Sequence, residues 1–273
     1  MRLHAVTGTT IARLSPSSLA YDALAAGYDE QVRGDDWMRR ALHAHYLRVF
    51  KAGERVLDVG CGTGIDALAL AGAGIRVFGI DSSSEMIAQL RSKVAAVGLA
   101  DRVEARVLRI EDLAAMNGER FDGLISAFAS LSTLPDLARF ADDASRLVRP
   151  HGRMVLHMLN RFSLWEWLGY LARRDFPAAR RVGHVRHREF TIGGQVVPHR
   201  LYFPDEAYRR FFAGRFSCRT RYGMGSLRPP HTVRRLPVSL VSGLERLDLR
   251  AGGWPLLRNA GRFFVLDLER LPS

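Results

Sequence analysis

The sequence predicts a doubly wound α/β protein whose mostly parallel sheet carries helices on both faces. Three observations lead there. Between Gly53 and about Asn160, short β-branched runs alternate with stretches of helical composition. A glycine-rich turn, Cys61–Gly64, directly follows the first of those runs. After Asn160 the rhythm stops, and it returns only near Pro204, as an insertion would require. Each right-handed strand–helix–strand crossover covers one face of a parallel sheet, so repeated alternation covers both.

Taken in order, Arg55–Val59 reads as a buried strand and Ile65–Ala73 as the helix after the turn. Arg76–Ile80 is a second strand. Ser83–Val97 is a helix, because Met86, Ile87, Leu90 and Val94 recur on one face. Val103–Ile110 and Phe121–Phe128 are the third and fourth strands. Leu134–Leu147 is a helix closed by Pro150 and Gly152, and Arg153–Leu159 is the fifth strand. The interrupting segment holds an aromatic run, RFSLWEWLGYLARR, then an arginine- and histidine-rich stretch, then Gly193 and Gly194. Beyond it the sequence predicts a helix at Asp205–Ala213, a strand at Arg215–Tyr222, a loop at Pro229 and Pro230, a helix at Leu240–Leu249 and a strand at Phe263–Glu269. A chain of 273 residues without internal repeats fits one domain with an insertion.

The hydrophobic fraction of 47% and charged fraction of 25% suit a soluble globular protein. No run approaches the roughly 20 apolar residues that cross a bilayer, so no transmembrane segment is expected. The first residues lack the apolar centre of a secretory signal and read as a leader. Cys61 and Cys218 suggest neither a disulfide framework nor a metal cluster, and cytoplasmic residence follows as the default. The net charge of +12 raises the question of nucleic acid. However, 38 of the 40 basic residues are arginine, with only Lys51 and Lys93 besides. That skew, beside abundant alanine and glycine, is the composition of a GC-rich genome. No module interleaves basic and aromatic residues. Nucleic acid is therefore disfavoured as a partner, and an anionic substrate fits the charge.

The informative stretch is RVLDVGCGTGIDALALA, Arg55–Ala71. Its turn joins a strand to a helix, which places backbone N–H groups at the carboxyl edge of the sheet. Asp58 precedes the glycines, and Asp81 ends the second strand, where a carboxylate can accept both ribose hydroxyls of an adenosine. The spacing of Gly60, Gly62 and Gly64 is G-x-G-x-G, not the G-x-G-x-x-G of dinucleotide dehydrogenases, and no Gly-Lys-Ser/Thr follows as in a phosphate-binding loop. VLDVGCGTG is similar to the first motif of class I S-adenosylmethionine (SAM)-dependent methyltransferases, and FGID, Phe78–Asp81, resembles their second. IEDL, Ile110–Leu113, resembles the segment that sets an acidic side chain near the adenine amino group, with Asp112 preferred over Glu111. FDGLISAFASL and RLVRPHGRMVLHM resemble the fourth strand and the turn into the fifth.

The resemblance implies a seven-stranded sheet ending in an antiparallel hairpin, Arg215–Tyr222 with Phe263–Glu269. It also implies SAM as cofactor, held by Asp58, Gly60, Cys61, Gly62, Gly64, Asp81, Ser82, Met86, Glu111, Asp112 and Ala127. Cys61 is a small packing residue with no redox role. YDALAAGYDE, Tyr21–Glu30, resembles the family's N-terminal cap; by analogy Tyr28 and Arg39 meet the SAM carboxylate, and the plainer alternative is that Tyr21 and Trp37 simply pack the cap against the core. The chain then divides into a leader and cap (1–50), a SAM-binding core (51–160), a substrate-cap insertion (161–204) and the completion of the sheet (205–273).

His157, near the carboxyl end of the fifth strand, is the candidate general base, against the plainer reading of a packed histidine. His184 and His187 lack carboxylate or thiolate partners at ligand spacing, and no metal is implied. The aromatic run suits either a lid over the substrate or an interfacial helix in peripheral contact with a membrane, the lid being preferred. The expected activity is methyl transfer to a hydroxyl, carboxylate or amine of a small, aromatic or lipid-like metabolite. The alternatives are an RNA methyltransferase, disfavoured because Ala127-Phe128-Ala129-Ser130 stands where base-modifying enzymes carry Asn/Asp-Pro-Pro-aromatic, and a SAM-binding protein without catalysis.

Overall fold

The computed structural model describes residues 16–233 and 236–272, so residues 1–15 of the expected leader lie outside the described residues. Helices α1 (Pro16–Leu24), α2 (Tyr28–Gln31) and α3 (Asp36–Val49) precede the sheet. Strand β1 (Arg55–Val59), α4 (Ile65–Gly72), β2 (Arg76–Asp81), α5 (Ser84–Ala96), β3 (Val103–Val107), β4 (Phe121–Ser126), α6 (Leu137–Leu147) and β5 (Val148–Leu159) follow in alternation. Next come α7 (Leu164–Ala172), α8 (Phe176–Arg181), β6 (His187–Ile192) and β7 (Gln195–Arg200). The chain ends with α9 (Pro204–Ala207), β8 (Phe216–Met224), α10 (Val238–Ala251), α11 (Pro255–Arg258) and β9 (Phe263–Arg270).

The main sheet has seven strands in the order β3-β2-β1-β4-β5-β9-β8. The first five are parallel, while β9 runs antiparallel to both β5 and β8. The strand period of two sorts the core into two layers. Leu57, Leu124, Met154 and Leu266 point to one face with Phe140 and Phe212. Val56, Ile125, Val155 and Val265 point to the other with Leu42, Leu70 and Leu90. Both faces are covered, as a parallel sheet requires.

The expected elements are present, with local differences. The third strand stops at Val107, and Ile110–Met116 coils into 3₁₀ turns that bury Leu113 and Met116. The fourth stops at Ser126, because Phe128 and Ala129 take left-handed backbone at φ 48° and 68° and turn the chain. The fifth begins at Val148, with an irregular step between Val148 and Arg153 in its pairing with β4.

The insertion is more ordered than its sequence rhythm suggests. β6 and β7 form a separate antiparallel hairpin, closed by Gly193 and Gly194 at φ 52° and 78°. Two consecutive residues with positive φ are what a tight hairpin needs, so the glycine pair carried the signal. The turn lies against α1, where a side chain at Gly193 would collide with the Ala20 carbonyl. Among the described residues no helix is long and apolar enough to cross a membrane.

Candidate functional site

The glycine turn lies at the carboxyl ends of β1 and β2, and its shape follows from what surrounds it. A Cβ at Gly60 would sit 2.4 Å from Ser130 Oγ, and one at Gly64 would sit 2.6 Å from Leu90 Cγ. Both residues also have positive φ, 73° and 81°, so glycine is required on two counts. Cys61 packs in the space left by Gly79, whose missing Cβ would lie 2.9 Å from its Sγ.

The backbone donors of the turn are taken internally, which corrects the expectation that they face a ligand. Gly60 and Cys61 N–H both donate to the Ile80 carbonyl, at 2.8 and 3.0 Å. Gly64 N–H donates to the Cys61 carbonyl, and Gly62 N–H donates to Asp81 Oδ2 at 2.9 Å. Asp81 Oδ1 accepts Ser83 N–H at 2.9 Å. Burial raises the Asp81 carboxyl above its ordinary range, and the N–H groups of Ser83, Gly62 and Ser82 oppose that rise. Phosphate-binding turns hold their ligand with free N–H groups. This turn instead offers a bare backbone surface beside a carboxylate.

A cleft opens from the turn. Tyr21, Tyr28, Asp81, Met86, Glu111 and Phe128 are among the residues that line it. Gly60, Gly62 and Ser82 also face it, and Val197 and Pro198 of β7 close its rim. An adjoining recess shares Tyr28 and Phe128 and adds Arg39, Cys61, Asp66 and Ala127. Here Arg39 Nη1 donates to Asp66 Oδ2 at 2.5 Å, and His43 Nε2 contacts Asp66 Oδ1 at 2.7 Å. Burial alone would lift the Asp66 carboxyl, but Arg39 and His43 outweigh it and hold it below the ordinary range. Arg39 also stands 4.2 Å over the Phe128 ring.

The N-terminal cap is tied down by two carboxylates that the sequence did not single out. Asp22 accepts from Ser83 Oγ at 2.6 Å, and Ser83 in turn caps α5 by accepting Met86 N–H. Asp29 accepts from Thr63 Oγ1 at 2.5 Å and from Lys93 Nζ at 2.6 Å. Tyr21 and Tyr28 meet edge-on at 6.3 Å in the roof of the cleft. Burial pushes the Tyr28 phenol up to about 12, so it stays neutral.

Residues 56–152 match the family model described as a methyltransferase domain. The central part of this chain is thus similar to a methyltransferase domain, over about a third of its length. Of the curated proteins, a ubiquinone biosynthesis O-methyltransferase of Xylella fastidiosa is 39% identical over 114 residues, covering 42% of this chain and 45% of that protein. The match thus spans less than half the length of that relative. Among solved structures, the cyclase SpnF superposes with a TM-score of 0.58 at 18% identity, over 85% of this chain and 82% of its own. Geranyl diphosphate C-methyltransferase from Streptomyces coelicolor A3(2), solved with S-adenosyl-L-homocysteine, gives 0.54 at 17% identity, over 85% and 78%. At these identities the superpositions establish the fold.

Three sequence expectations change around the cleft. Asp58 does not line the cleft. It lies under the turn, 1% exposed, with Oδ2 unpartnered, and burial raises its carboxyl well above the ordinary range. Glu111 lines the cleft, whereas Asp112, preferred from sequence, is not among its lining residues. Arg109 reaches Glu111 at 3.1 Å and fixes it there. His157 is not placed as a base. Its ring is 1% exposed, stacks on Phe263 at 4.5 Å, and accepts Phe128 N–H on Nδ1 at 3.2 Å. Burial drives its pKa down to about 3, so it is a neutral packing residue that holds the turn after β4.

Proposed function

We propose that this chain is a SAM-dependent methyltransferase that methylates a hydroxyl group of a small aromatic metabolite. The observation that carries the reading is Asp81. It is held by two backbone N–H groups at the ends of β1 and β2, on the floor of a cleft walled by aromatic rings and carboxylates. Such a wall fits a cationic adenosine derivative without phosphate. The 114-residue match to an O-methyltransferase supports oxygen as the acceptor atom.

When bound, SAM supplies a methyl group already activated by its sulfonium. In this reading Asp81 accepts the ribose hydroxyls, Glu111 accepts from the adenine amino group, and Ser82 and Met86 line the cleft beside them. Arg39, whose guanidinium carries five donors, satisfies Asp66 and still has donors for the methionine carboxylate. Tyr21, Tyr28 and Phe128 present ring faces and edges that favour a positive charge over water. The protein's chief task is alignment, which can lower a barrier by about 7–11 kcal/mol. No base from His157 is needed where the acceptor is a phenol acidic enough to ionise in solution. Single arginines are engaged within the fold, as in Arg55–Glu119 and Arg153–Asp267, while the net charge of +12 is left over by such pairs and in this reading serves an anionic substrate rather than a nucleic acid. Cytoplasmic residence belongs to the same reading, consistent with two unpaired cysteines.

Calorimetric titration with SAM, and separately with NAD, tests the proposal. Micromolar SAM binding with no NAD binding is expected. Folded, ligand-free protein that fails to bind SAM overturns it.

A further inference from the structure

A second cavity, of about 480 Å³, lies on the same edge of the sheet, beyond the end of β5. That volume is in the range of small-molecule sites, roughly 300–1,000 Å³. Leu159 and Asn160 form part of its floor, and Met38 of α3, Trp165 of α7 and Phe190 of β6 stand around it. Two features tie it to the cofactor cleft. Phe190 pairs with Val197 across the β6–β7 hairpin, and Val197 lines the cleft. Phe128, which lines the cleft, meets Phe263 edge-on at 6.1 Å, and the neighbouring Arg262 lines the second cavity.

The charge of this cavity is unbalanced. Arg173, Arg188, Arg228 and Arg262 line it against Asp35 and Glu166. Glu166 takes both Nη groups of Arg188, at 3.0 and 2.9 Å, and Asp35 takes Arg262 at 3.3 Å. Arg228 has one carboxylate, Glu245 at 3.7 Å, which also meets Arg40 at 3.6 Å; its Nη1 donates to the Pro229 carbonyl at 3.0 Å, and its guanidinium lies 4.9 Å over the Trp37 ring. Arg173 has no carboxylate within 4.0 Å among the described residues. Hydrogen-bond donors are in excess too. The indole N–H groups of Trp37 and Trp165 and the Nε–H of Arg228 are buried without partners, whereas Asn160 Oδ1 is an unpartnered acceptor. Each unmade bond of this kind leaves the desolvation cost of a buried donor unrepaid. Several of them around one cavity mark a wall that lacks the oxygen atoms it is built to meet.

We propose that this cavity is the acceptor site and that it selects a flat aromatic molecule carrying a negative charge. The proposal rests on the methyl-transfer reading for the word acceptor, while the anion preference stands on the cavity alone. Arg173, which meets no carboxylate among the described residues, and Arg228, which shares Glu245 with Arg40, supply the excess charge, and Trp37, Trp165 and Phe190 supply the aromatic surface. Phe128 and the hairpin stand between this site and the cofactor cleft, so the reacting oxygen enters past the Phe128 ring. The separation lets cofactor and acceptor bind independently.

The test uses the full chain with 2-naphthoate as probe and 2-naphthamide as its neutral counterpart. Binding is read by calorimetry and by quenching of tryptophan fluorescence, since Trp37 and Trp165 line the cavity. Naphthoate should bind at least about tenfold more tightly than naphthamide, the worth of one charge-assisted hydrogen bond. Arg228→Met should reduce that preference to about threefold or less, Arg228→Lys should keep more of it, and neither should change SAM affinity. The exposed Arg173→Met gives a second reading if Arg228→Met folds poorly. Equal binding of acid and amide overturns the proposal. So does a preference that survives both Met substitutions, or displacement of naphthoate by SAM. Failure to bind SAM with the naphthoate preference intact refutes the methyl-transfer reading instead.

Discussion

The two cavities share one sheet edge but are assembled in different ways. The cofactor cleft is organised by a single loop: the donors of Gly60, Cys61 and Gly62 are matched by Ile80 and Asp81 on the neighbouring strand. The second cavity draws on α3, α7, β6, the loop after β8 and the start of β9, and leaves three donors unmatched. A site whose polar groups are mutually satisfied is pre-shaped before its ligand arrives. One with surplus donors and charge depends on its ligand for completion. Substitutions in the first should therefore alter protein stability and SAM affinity, and those in the second should alter acceptor choice.

The sharpest way to break that contrast is at Arg39. Its buried pair with Asp66 lies beneath the cleft, with Asp58 close enough to be raised further by Asp66. Arg39→Met leaves those carboxylates without their cation, and breaking a buried pair this way costs about 3–5 kcal/mol. Urea denaturation should show a loss of that size. A loss below about 1 kcal/mol would mean that water already screens the pair, and the cleft would not be the rigid half.

The same cluster gives two opposite pH effects. The Asp66 carboxyl is depressed, so its contribution is complete above the ordinary carboxylate range and is lost as pH falls through its lowered pKa. The Asp58 carboxyl is raised, so the folded state favours its protonated form, and ionisation weakens the fold as pH rises through that pKa. Asp58→Asn should therefore raise Tm at pH 7, with a gain that shrinks as pH approaches 4. A constant gain at all pH values would remove the charge explanation.

Asp81→Ala comes next in size. It deletes the acceptor of Gly62 and Ser83 N–H and of the proposed ribose hydroxyls. SAM affinity should fall by about 1–3 kcal/mol, while the preference for naphthoate over naphthamide stays. Unchanged SAM affinity removes the ribose assignment.

The contrast also explains what could be read from the sequence. The turn and Asp81 are written within one strand–turn–helix–strand segment, so residue spacing together with the resemblance pointed to Gly60, Gly62, Gly64 and Asp81. The alternating strands and the antiparallel end of the sheet followed from patterning and from the resemblance. Partners separated widely in sequence left no local mark. Asp66 became notable only once α3 brought Arg39 and His43 onto it. Asp22 and Asp29 hold the cap through Ser83 and Thr63, a relation no spacing encodes. His157 was misplaced for the same reason: its position at a strand end suggested the cleft, and the aromatic rings that enclose it come from β9 and the turn after β4. In the insertion, the Gly193–Gly194 turn was readable, whereas Arg173 and Arg188 before it had no visible purpose until the fold set them around one cavity with Arg228 and Arg262.

The smallest expected effect separates two adjacent acids in the cofactor half. Glu111 and Asp112 are equivalent in sequence, and both lie within 4.0 Å of Arg109. Their exposure differs, at 33% and 53% of the side chain, and Glu111 alone lines the cleft. Between the two 3₁₀ turns Asp112 departs from helical geometry, at φ −104°, ψ 17°, and it is the more exposed of the pair. Glu111→Ala should therefore weaken SAM binding by about 1 kcal/mol, the value of one modest hydrogen bond. Asp112→Ala should leave it unchanged. The ribose contact is retained in both, so the loss at Glu111 should also disappear when the adenine amino group is removed from the ligand. An equal loss for both variants would point to the field of the two carboxylates. A loss at Asp112 alone would mean that the turn rewinds when the ligand binds, and that this edge of the cleft is less pre-shaped than the glycine loop beside it.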